Sequence, residues 1–379
     1  MKANLLRALR VSLRLMVCAP FLALAPQAVG GQVGLVPMSA RGRDDSPELR
    51  SRELLPLIEL MLQLKDPDVY REEYAQAVGL QGRGKRHEAA GLYSHILPAL
   101  ESLLGTEHPD SLKCRLRLAN LLRDLEENAG AEKHYRLLLP RLERRRGEGN
   151  REAMDCRHDL GFVLERMGRF AEAETEYRAA IVIRGNVLGP EHRGTLLTRN
   201  NLANVFRAQD RYAEAEQEHR AVWALRRRVL GEEHTDTLNS RCGLASALLG
   251  LGRKEEAEKE GRALLPVCQR VLGPEHHRTL NCRNLLGNVL QAQGRSAEAE
   301  TEHRAVLAIR ERVLGAEHVE TFRSSYNLAT CLEAQSKLKD AFECTRRAEA
   351  GWTKVLGASH PDSKKAKAAR ERIEAALKN

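Results

Sequence analysis

The sequence predicts an all-α solenoid of about seven helical hairpins with additional helices at its ends. Glycine recurs with a period of 42 residues, and alanine does so in a second register. The glycine column is Gly105, Gly147, Gly189, Gly231, Gly273, Gly315 and Gly357, and the alanine column is Ala89, Ala131, Ala173, Ala215, Ala257, Ala299 and Ala341. Two seven-membered columns without an insertion are not a chance pattern. Each interval is therefore one structural unit of a repeat protein.

Each repeat predicts two helices. In the repeat that follows Gly189, apolar residues recur at helical spacing from Thr195 to about Gln209, which we term helix A. A second helix, helix B, runs from about Tyr212 to Leu230. Asp210 separates the two, and other repeats have a glycine there, as expected at a helix C-cap. One hairpin cannot bury both of its apolar faces, so neighbouring hairpins must stack.

Small residues indicate how the helices pack. Helix A has its own small column, which consists of Ala77, Ala119, Gly161, Ala203, Ala245, Gly287 and Ala329. We expect it to face the alanine column of helix B, because small residues on both sides allow close helix axes. A large residue in place of Ala215 should overpack this contact at a cost of about 1–3 kcal/mol.

Composition and charge limit the possible partners. The chain has 379 residues, but a solenoid grows by stacking and needs no second core. Its net charge of +9 includes +6 from residues 1–43, so the remainder carries only +3. Charge therefore gives no reason to expect a nucleic-acid partner.

The first 65 residues lie outside the repeat pattern. Residues 1–30 read as a signal or targeting segment, because basic Met1–Arg14 precedes apolar Leu15–Ala25. A signal peptide would place the mature chain in the periplasm or outside the cell. An organelle transit peptide, an uncleaved anchor and a cytoplasmic chain are the alternatives, and we expect no integral membrane span in the mature protein. Residues 31–65 are interpreted as a linker and an N-terminal capping helix.

The array itself is predicted over residues 66–360, with a C-terminal capping helix at 361–379. That last helix is rich in lysine and arginine, as suits a polar outer face. One repeat is eroded, since Arg146–Asn150 replaces the usual Leu-Gly-x-Glu-His turn, and a looser array is expected there.

The cysteines do not form a disulfide framework. Seven remain after Cys18, an odd number, and Cys114, Cys156 and Cys282 share one register. Equivalent positions in stacked repeats lie on the order of 10 Å apart, beyond the reach of a disulfide at ~7 Å. Buried thiols that act as small apolar residues are the favoured interpretation.

The repeat resembles a known family. Asn200–Ala203, Arg211–Glu216 and Arg226–Gly231 match the pattern of tetratricopeptide repeats of the kinesin light chain type, over residues 66–379. The resemblance implies a right-handed superhelix whose inner surface is lined by helix A and binds extended peptides. The chain lacks the long heptad-repeat coiled coil of a true kinesin light chain, so a motor adaptor is not expected.

Two sets of polar columns have structural interpretations. The histidines precede helix A and are expected to hydrogen-bond its start rather than to bind metal, because they are spread along the solenoid axis. They are His108, His192, His234, His276, His318 and His360. An arginine column is expected to pair within each hairpin with the glutamate 17 residues later. The arginines are Arg115, Arg157, Arg199, Arg241 and Arg283, and the glutamates are Glu132, Glu174, Glu216, Glu258 and Glu300.

The remaining candidate site is the inner groove. The register of helix A places an amide-rich strip there, and asparagine is a mediocre helix former that can both donate to and accept from a peptide backbone. A solvated polar face is the alternative. The predicted peptide-binding residues are Asn200, Asn201, Asn204, Arg207, Asn239, Asn281, Asn284, Asn288, Arg323, Tyr326 and Asn327.

The sequence thus predicts a non-catalytic scaffold or adaptor for a protein or peptide partner, without metal or other cofactor. The chain has no Walker-type loop, HExxH, GxSxG or Cys-x-x-Cys motif, so an enzyme is not expected. Two alternatives stay open: a self-associating architectural protein, and a regulatory module that binds an acidic ligand through the arginine column.

Overall fold

Fifteen helices make up the part of the chain that the computed structural model describes, residues 67–378. The predicted targeting segment at 1–30 and the predicted linker and capping helix at 31–65 lie outside the described residues. The helices are α1 (Pro67–Gly82), α2 (Arg86–Leu104), α3 (Pro109–Asp124), α4 (Asn128–Arg146), α5 (Arg151–Arg166), α6 (Phe170–Leu188), α7 (Arg193–Ala208), α8 (Tyr212–Leu230), α9 (Thr235–Gly250), α10 (Lys254–Leu272), α11 (His277–Ala292), α12 (Ser296–Leu314), α13 (Val319–Ala334), α14 (Leu338–Leu356) and α15 (Pro361–Lys378).

The odd-numbered and even-numbered helices up to α14 are the A and B helices of seven hairpins, and α15 follows as an unpaired A helix. Each helix packs against the next one in the chain. The A helices α5, α7, α9, α11 and α13 also contact one another in order. Because units stand closest together on the inner side of a curve, these contacts identify the A helices as the inner layer.

Local sequence determines the ends of the helices. The predicted histidine caps are confirmed, since Nδ1 of His234 accepts a hydrogen bond from the backbone N–H of Asp236 at 3.1 Å. The same bond begins α3, α7, α11, α13 and α15. Gly231 ends α8 with φ at 92°, a conformation that disfavours other residues. In the eroded turn, Oδ1 of Asn150 accepts from the N–H of Glu152 at 2.9 Å, so this turn keeps its cap.

Both columns of the predicted small-residue seam lie in the core, where Gly161 of helix A faces Tyr177, four residues after Ala173 of the alanine column. That the two columns face each other directly stays a prediction. Every member of the helix A column and of the helix B alanine column is buried. Glycine in the helix A column makes room for a larger residue of helix B, because a Cβ on Gly161 would stand 2.8 Å from the ring of Tyr177. The seam therefore fixes the distance between the two helices of a hairpin.

Ion pairs correct the predicted pairing of two columns. Arg199 pairs with Glu218, 19 residues later, and not with Glu216. Glu216 instead accepts from Arg253 of the next hairpin at 2.6 Å. The prediction was wrong about the partner because it ignored the direction of the side chains on helix B. Four of the five arginines do pair with a glutamate of helix B in their own hairpin, whereas Arg115 pairs with Glu101 of the preceding hairpin. The glutamate column fastens one hairpin to the next.

Candidate binding groove

The inner face of the A helices carries a row of amides, and three of them are unoccupied. Asn204 lies on α7, Asn239 on α9 and Asn288 on α11, and each is half-buried. Their side chains make no hydrogen bond to other described residues. Their donors and acceptors are therefore available to a ligand in the groove.

Two further predicted residues are open to the groove but already paired. Asn281 is exposed, and its Oδ1 accepts from Nη2 of Arg310 at 2.7 Å. Arg323 forms an ion pair with Glu320 of its own helix at 2.6 Å. Arg323 also lies 3.6 Å from Asp362 at the start of α15, so Asn281, through its Nδ2, is the more available of the two side chains.

Three predicted groove residues are buried, which corrects their placement. Asn200 is 1% exposed, and its Oδ1 accepts from the Ser240 hydroxyl of the next A helix at 3.0 Å. Asn284 is hydrogen-bonded to His303 at 2.8 Å and to Asn327 at 3.1 Å. Tyr326 packs its ring against Trp352. Asn200 thus joins neighbouring A helices, Asn284 bonds both its own hairpin and the next one, and Tyr326 packs within its own hairpin. None of the three side chains presents itself to a ligand.

Two half-buried asparagines among the predicted groove residues, Asn201 and Asn327, already contact other side chains. Asn327 donates to Asn284, as described above, and Asn201 lies beside the hydroxyl of Tyr177. The same hydroxyl donates to Glu165 at 2.9 Å. Tyr177 belongs to helix α6 and is 0% exposed, so its contacts lie inside the packed array. These contacts fix the orientation of the amides beside the free ones.

Arg207 gives the groove an unpaired cation. Its side chain is exposed on the inner face of α7, and it forms no hydrogen bond or ion pair with another described residue. Desolvation and the nearby charge of Arg323 lower its pKa. Desolvation also raises the pKa of neighbouring Glu165 to about 7. Glu165 is the nearby opposite charge, and its attraction partly offsets the lowering of the Arg207 pKa.

The superhelix closes on itself across this region. His360, which caps α15, lies 3.1 Å from the carbonyl oxygen of Arg166 at the end of α5. A Cβ on Gly168 would stand 2.5 Å from Cδ of Pro361, so the two turns are in direct contact. Arg166 also reaches Glu320 of α13 at 4.0 Å. We call this contact between the α5–α6 turn and the start of α15 the inter-turn contact.

Sequence reasoning missed a set of buried arginines. Arg184, Arg226 and Arg310 come from B helices and are each at most 3% exposed. Nη1 of Arg226 donates to the Ser240 hydroxyl at 2.7 Å and to the Asp236 carbonyl at 2.9 Å. The signal was present, because the three arginines share one 42-residue register on an otherwise apolar face.

Other kinds of site are not seen in the described residues. Within residues 67–378, no group of three or more His, Cys, Asp or Glu side chains is arranged to hold a metal ion. Over the same residues, no helix has both the length and the apolar character to cross a membrane.

Stacked hairpins with a polar inner face define a helical-repeat scaffold. A family model described as tetratricopeptide repeat matches residues 153–222, 198–266, 256–311 and 283–354, together more than half of the chain. The chain therefore belongs to the tetratricopeptide repeat family. No curated protein matches it by sequence.

Several solved structures are similar to the chain. A Podosopora anserina putative kinesin light chain with nearly identical repeats is 23% identical, covering 55% of this chain and 98% of its own, with a TM-score of 0.46. The apo form of RapI is 13% identical, with coverages of 76% and 98% and a TM-score of 0.59. NprR in complex with its cognate peptide NprX is 12% identical, with coverages of 85% and 84% and a TM-score of 0.57. At these identities the likeness to RapI and NprR shows the solenoid fold alone.

Proposed function

We propose that the protein is a non-catalytic scaffold whose inner groove captures an extended segment of another protein. The observation that carries this proposal is the row of unoccupied amides at Asn204, Asn239 and Asn288. They lie on consecutive A helices, so an extended chain in the groove would meet them in turn. An amide that both donates and accepts can pair with a peptide backbone whatever the peptide's side chains are.

Arg207 adds a preference for a peptide carboxylate to this binding of the peptide backbone. It is an exposed guanidinium beside Asn204 without a hydrogen bond or ion pair to another described residue, so a peptide carboxylate in this part of the groove would bind favourably. The fold is compatible with such a role, since NprR has the same kind of solenoid and its structure holds the peptide NprX.

The rival function through the arginine column has less support. Arg157, Arg199 and Arg241 are each paired with a glutamate of helix B within 3.0 Å. An acidic ligand would have to displace these glutamates. Self-association is an alternative that the binding experiment below tests directly.

The test begins with the full chain and a displayed library of random peptides, from which one binder is selected and measured by calorimetry. The triple variant Asn204→Ala, Asn239→Ala and Asn288→Ala should lose binding, by roughly 1 kcal/mol for each amide bond removed. Asn186→Ala is the matched control, because Asn186 is exposed on the B helix α6 and should leave binding unchanged.

Circular dichroism must show equal helicity in all three proteins. Binding that survives the triple substitution, or a library that yields no binder, would refute capture in the groove. A mass that rises with concentration and ignores these substitutions would support self-association instead.

We also propose that the leader at residues 1–30 directs export. Its basic start and apolar middle support this proposal, and N-terminal sequencing of the mature chain tests it. A mature protein that begins at Met1 would refute cleavage of a signal peptide.

A further inference from the structure

A buried polar chain connects three helices at two successive junctions. Between the fourth and fifth hairpins, Arg226 of α8 donates to Ser240 of α9, and Ser240 donates to Asn200 of α7. Between the third and fourth hairpins, Arg184 donates to Thr198 at 2.6 Å, and Thr198 lies 3.1 Å from Nδ1 of His158. Both junctions thus use a guanidinium, a hydroxyl and a polar group of the preceding A helix.

At the next junction all three positions are cysteine. In the 42-residue register, Cys268 replaces Arg226, Cys282 replaces Ser240 and Cys242 replaces Asn200. Cys268 and Cys282 belong to one apolar cluster, and Cys242 packs against it. The neighbouring thiols of Cys242 and Cys268, together with burial, raise the pKa of the Cys282 thiol. The three sulfur atoms therefore follow the same path through α10, α11 and α9 as the polar chain does elsewhere.

Cysteine acting only as a small apolar residue does not account for three thiols at one junction. Cys114 and Cys156 occupy the register of Cys282, but there the B-helix position opposite them is Leu100 or Leu142. Each of these two thiols lies 3.8 Å from a backbone carbonyl oxygen. Among the described junctions, only the one between the fifth and sixth hairpins places thiols opposite a thiol.

We propose that Cys242, Cys268 and Cys282 form one oxidation site, at which a peroxide converts Cys282 and a neighbouring thiol to a disulfide. Cys242 is the entry point because it is half-buried, whereas Cys268 and Cys282 are 2% and 0% exposed. This inference is independent of peptide binding.

The chemistry balances in two steps. The sulfur of Cys242 attacks one peroxide oxygen, the O–O bond breaks, and a sulfenic acid and one water form. The sulfur of Cys282 then attacks that of Cys242, the S–O bond breaks, and a second water leaves as the disulfide forms. Two thiols have lost two electrons and two protons, and hydrogen peroxide has been reduced to two waters.

Exchange with the third thiol, Cys268, moves the disulfide from the half-buried Cys242 to the two buried cysteines. Attack of Cys268 on Cys282 forms a Cys268–Cys282 disulfide and returns Cys242 to a thiol. The proton of Cys268 passes to the departing sulfur of Cys242, so this exchange consumes no further oxidant. Either disulfide links α11 covalently to the fifth hairpin.

The experiment treats the folded full chain with hydrogen peroxide, blocks remaining thiols under denaturing conditions, and maps peptides without reduction. We expect a peptide pair that joins Cys282 to Cys242 or Cys268, with a mass lower by two hydrogens than the sum of the two peptides. Cys114 and Cys156 should be recovered as blocked thiols and serve as internal controls.

Two variants that introduce the residues found at another junction distinguish loss of the oxidation site from loss of folding. Cys282→Ser places the equivalent of Ser240 there and should abolish the pair, while Cys242→Asn should slow its formation. Circular dichroism of both variants checks that they fold. Cys282 recovered as a free thiol while Cys242 is oxidised to an acid, or oxidation of Cys114 and Cys156 to the same extent, would overturn the proposal.

Discussion

His360 donates its Nε2–H to the carbonyl oxygen of Arg166, 194 residues earlier in the chain and 3.1 Å away. The direction of this bond follows from the cap at the other ring nitrogen. Nδ1 accepts from the N–H of Asp362, so the proton of the neutral imidazole must be on Nε2. A residue that starts one helix thus joins two turns of the superhelix.

Substitution of Gly168 should weaken the inter-turn contact. Gly168→Ala adds a Cβ that would stand 2.5 Å from Cδ of Pro361, so α15 must shift. We expect a larger radius of gyration in small-angle scattering and a loss of about 1–3 kcal/mol through overpacking, in addition to backbone strain.

Gly252→Ala is the matched control for this prediction. Gly252 occupies the same register with φ at 77°, against 74° for Gly168, and a Cβ there would meet nothing within 4 Å. Both variants therefore carry the same backbone strain. Equal radii of gyration and equal losses of stability in the two variants would show that the inter-turn contact does not constrain the superhelix.

Buried histidines should make the fold sensitive to acid. Burial lowers the pKa of His303 to about 4, and that of His158 and of His219 to about 3. Because the unfolded chain binds protons below pH 6.5 and the native state does not, their stabilisation is lost as pH falls from 6.5 toward these values. At pH 5 each histidine should remove about 2 kcal/mol from the free energy of unfolding.

Comparing the acid-induced loss of stability in the wild-type protein and in a His303 variant separates the effect of this histidine from the effects of the carboxylates. The raised pKa of Glu165 acts in the opposite sense, because the native state takes up that proton as pH falls through 7. His303→Tyr copies the native pairing of Tyr177 with Gly161, since His303 faces Gly287 in the same way. Urea unfolding at pH 7 and pH 5 should show a smaller acid loss for the variant. Parallel losses in both proteins would contradict this assignment.

The histidine caps should be replaceable by asparagine but not by alanine. His234→Ala removes the acceptor for the N–H of Asp236 and should cost about 1 kcal/mol of stability. His234→Asn should retain most of it, because Asn150 already performs this role at α5. Thermal unfolding of the two variants measures the difference, and an alanine variant as stable as the asparagine variant would rule out a capping role.

The sequence predicted those features that depend on contacts between neighbouring repeats. The bounds predicted for helix B, Tyr212 to Leu230, agree with α8, and the small-residue seam is buried as expected. Both follow from the 42-residue period. Because the same local contacts recur in every repeat, an irregular residue in one repeat does not hide the pattern. The cap function of the histidines was predictable for the same reason, since a residue directly before a helix can reach its free N–H groups.

Side-chain direction and long-range closure were not predictable in this way. Asn200 and Asn204 are one helical turn apart, yet the first is buried against Ser240 and the second faces the groove. Periodicity alone cannot separate them, because the curvature of the stack decides how close adjacent A helices come. The contact of His360 with Arg166 depends on the accumulated rotation of several hairpins, which leaves no pattern in the sequence.

The inter-turn contact has a thermodynamic consequence for the array. Solenoids held together only by nearest neighbours melt progressively from their termini, since a terminal unit has a single stacking partner. Helix α15 has a second partner at the α5–α6 turn. When α15 frays, its contact with the third hairpin is therefore lost as well. The hairpins between these two points should therefore unfold together, as one cooperative block.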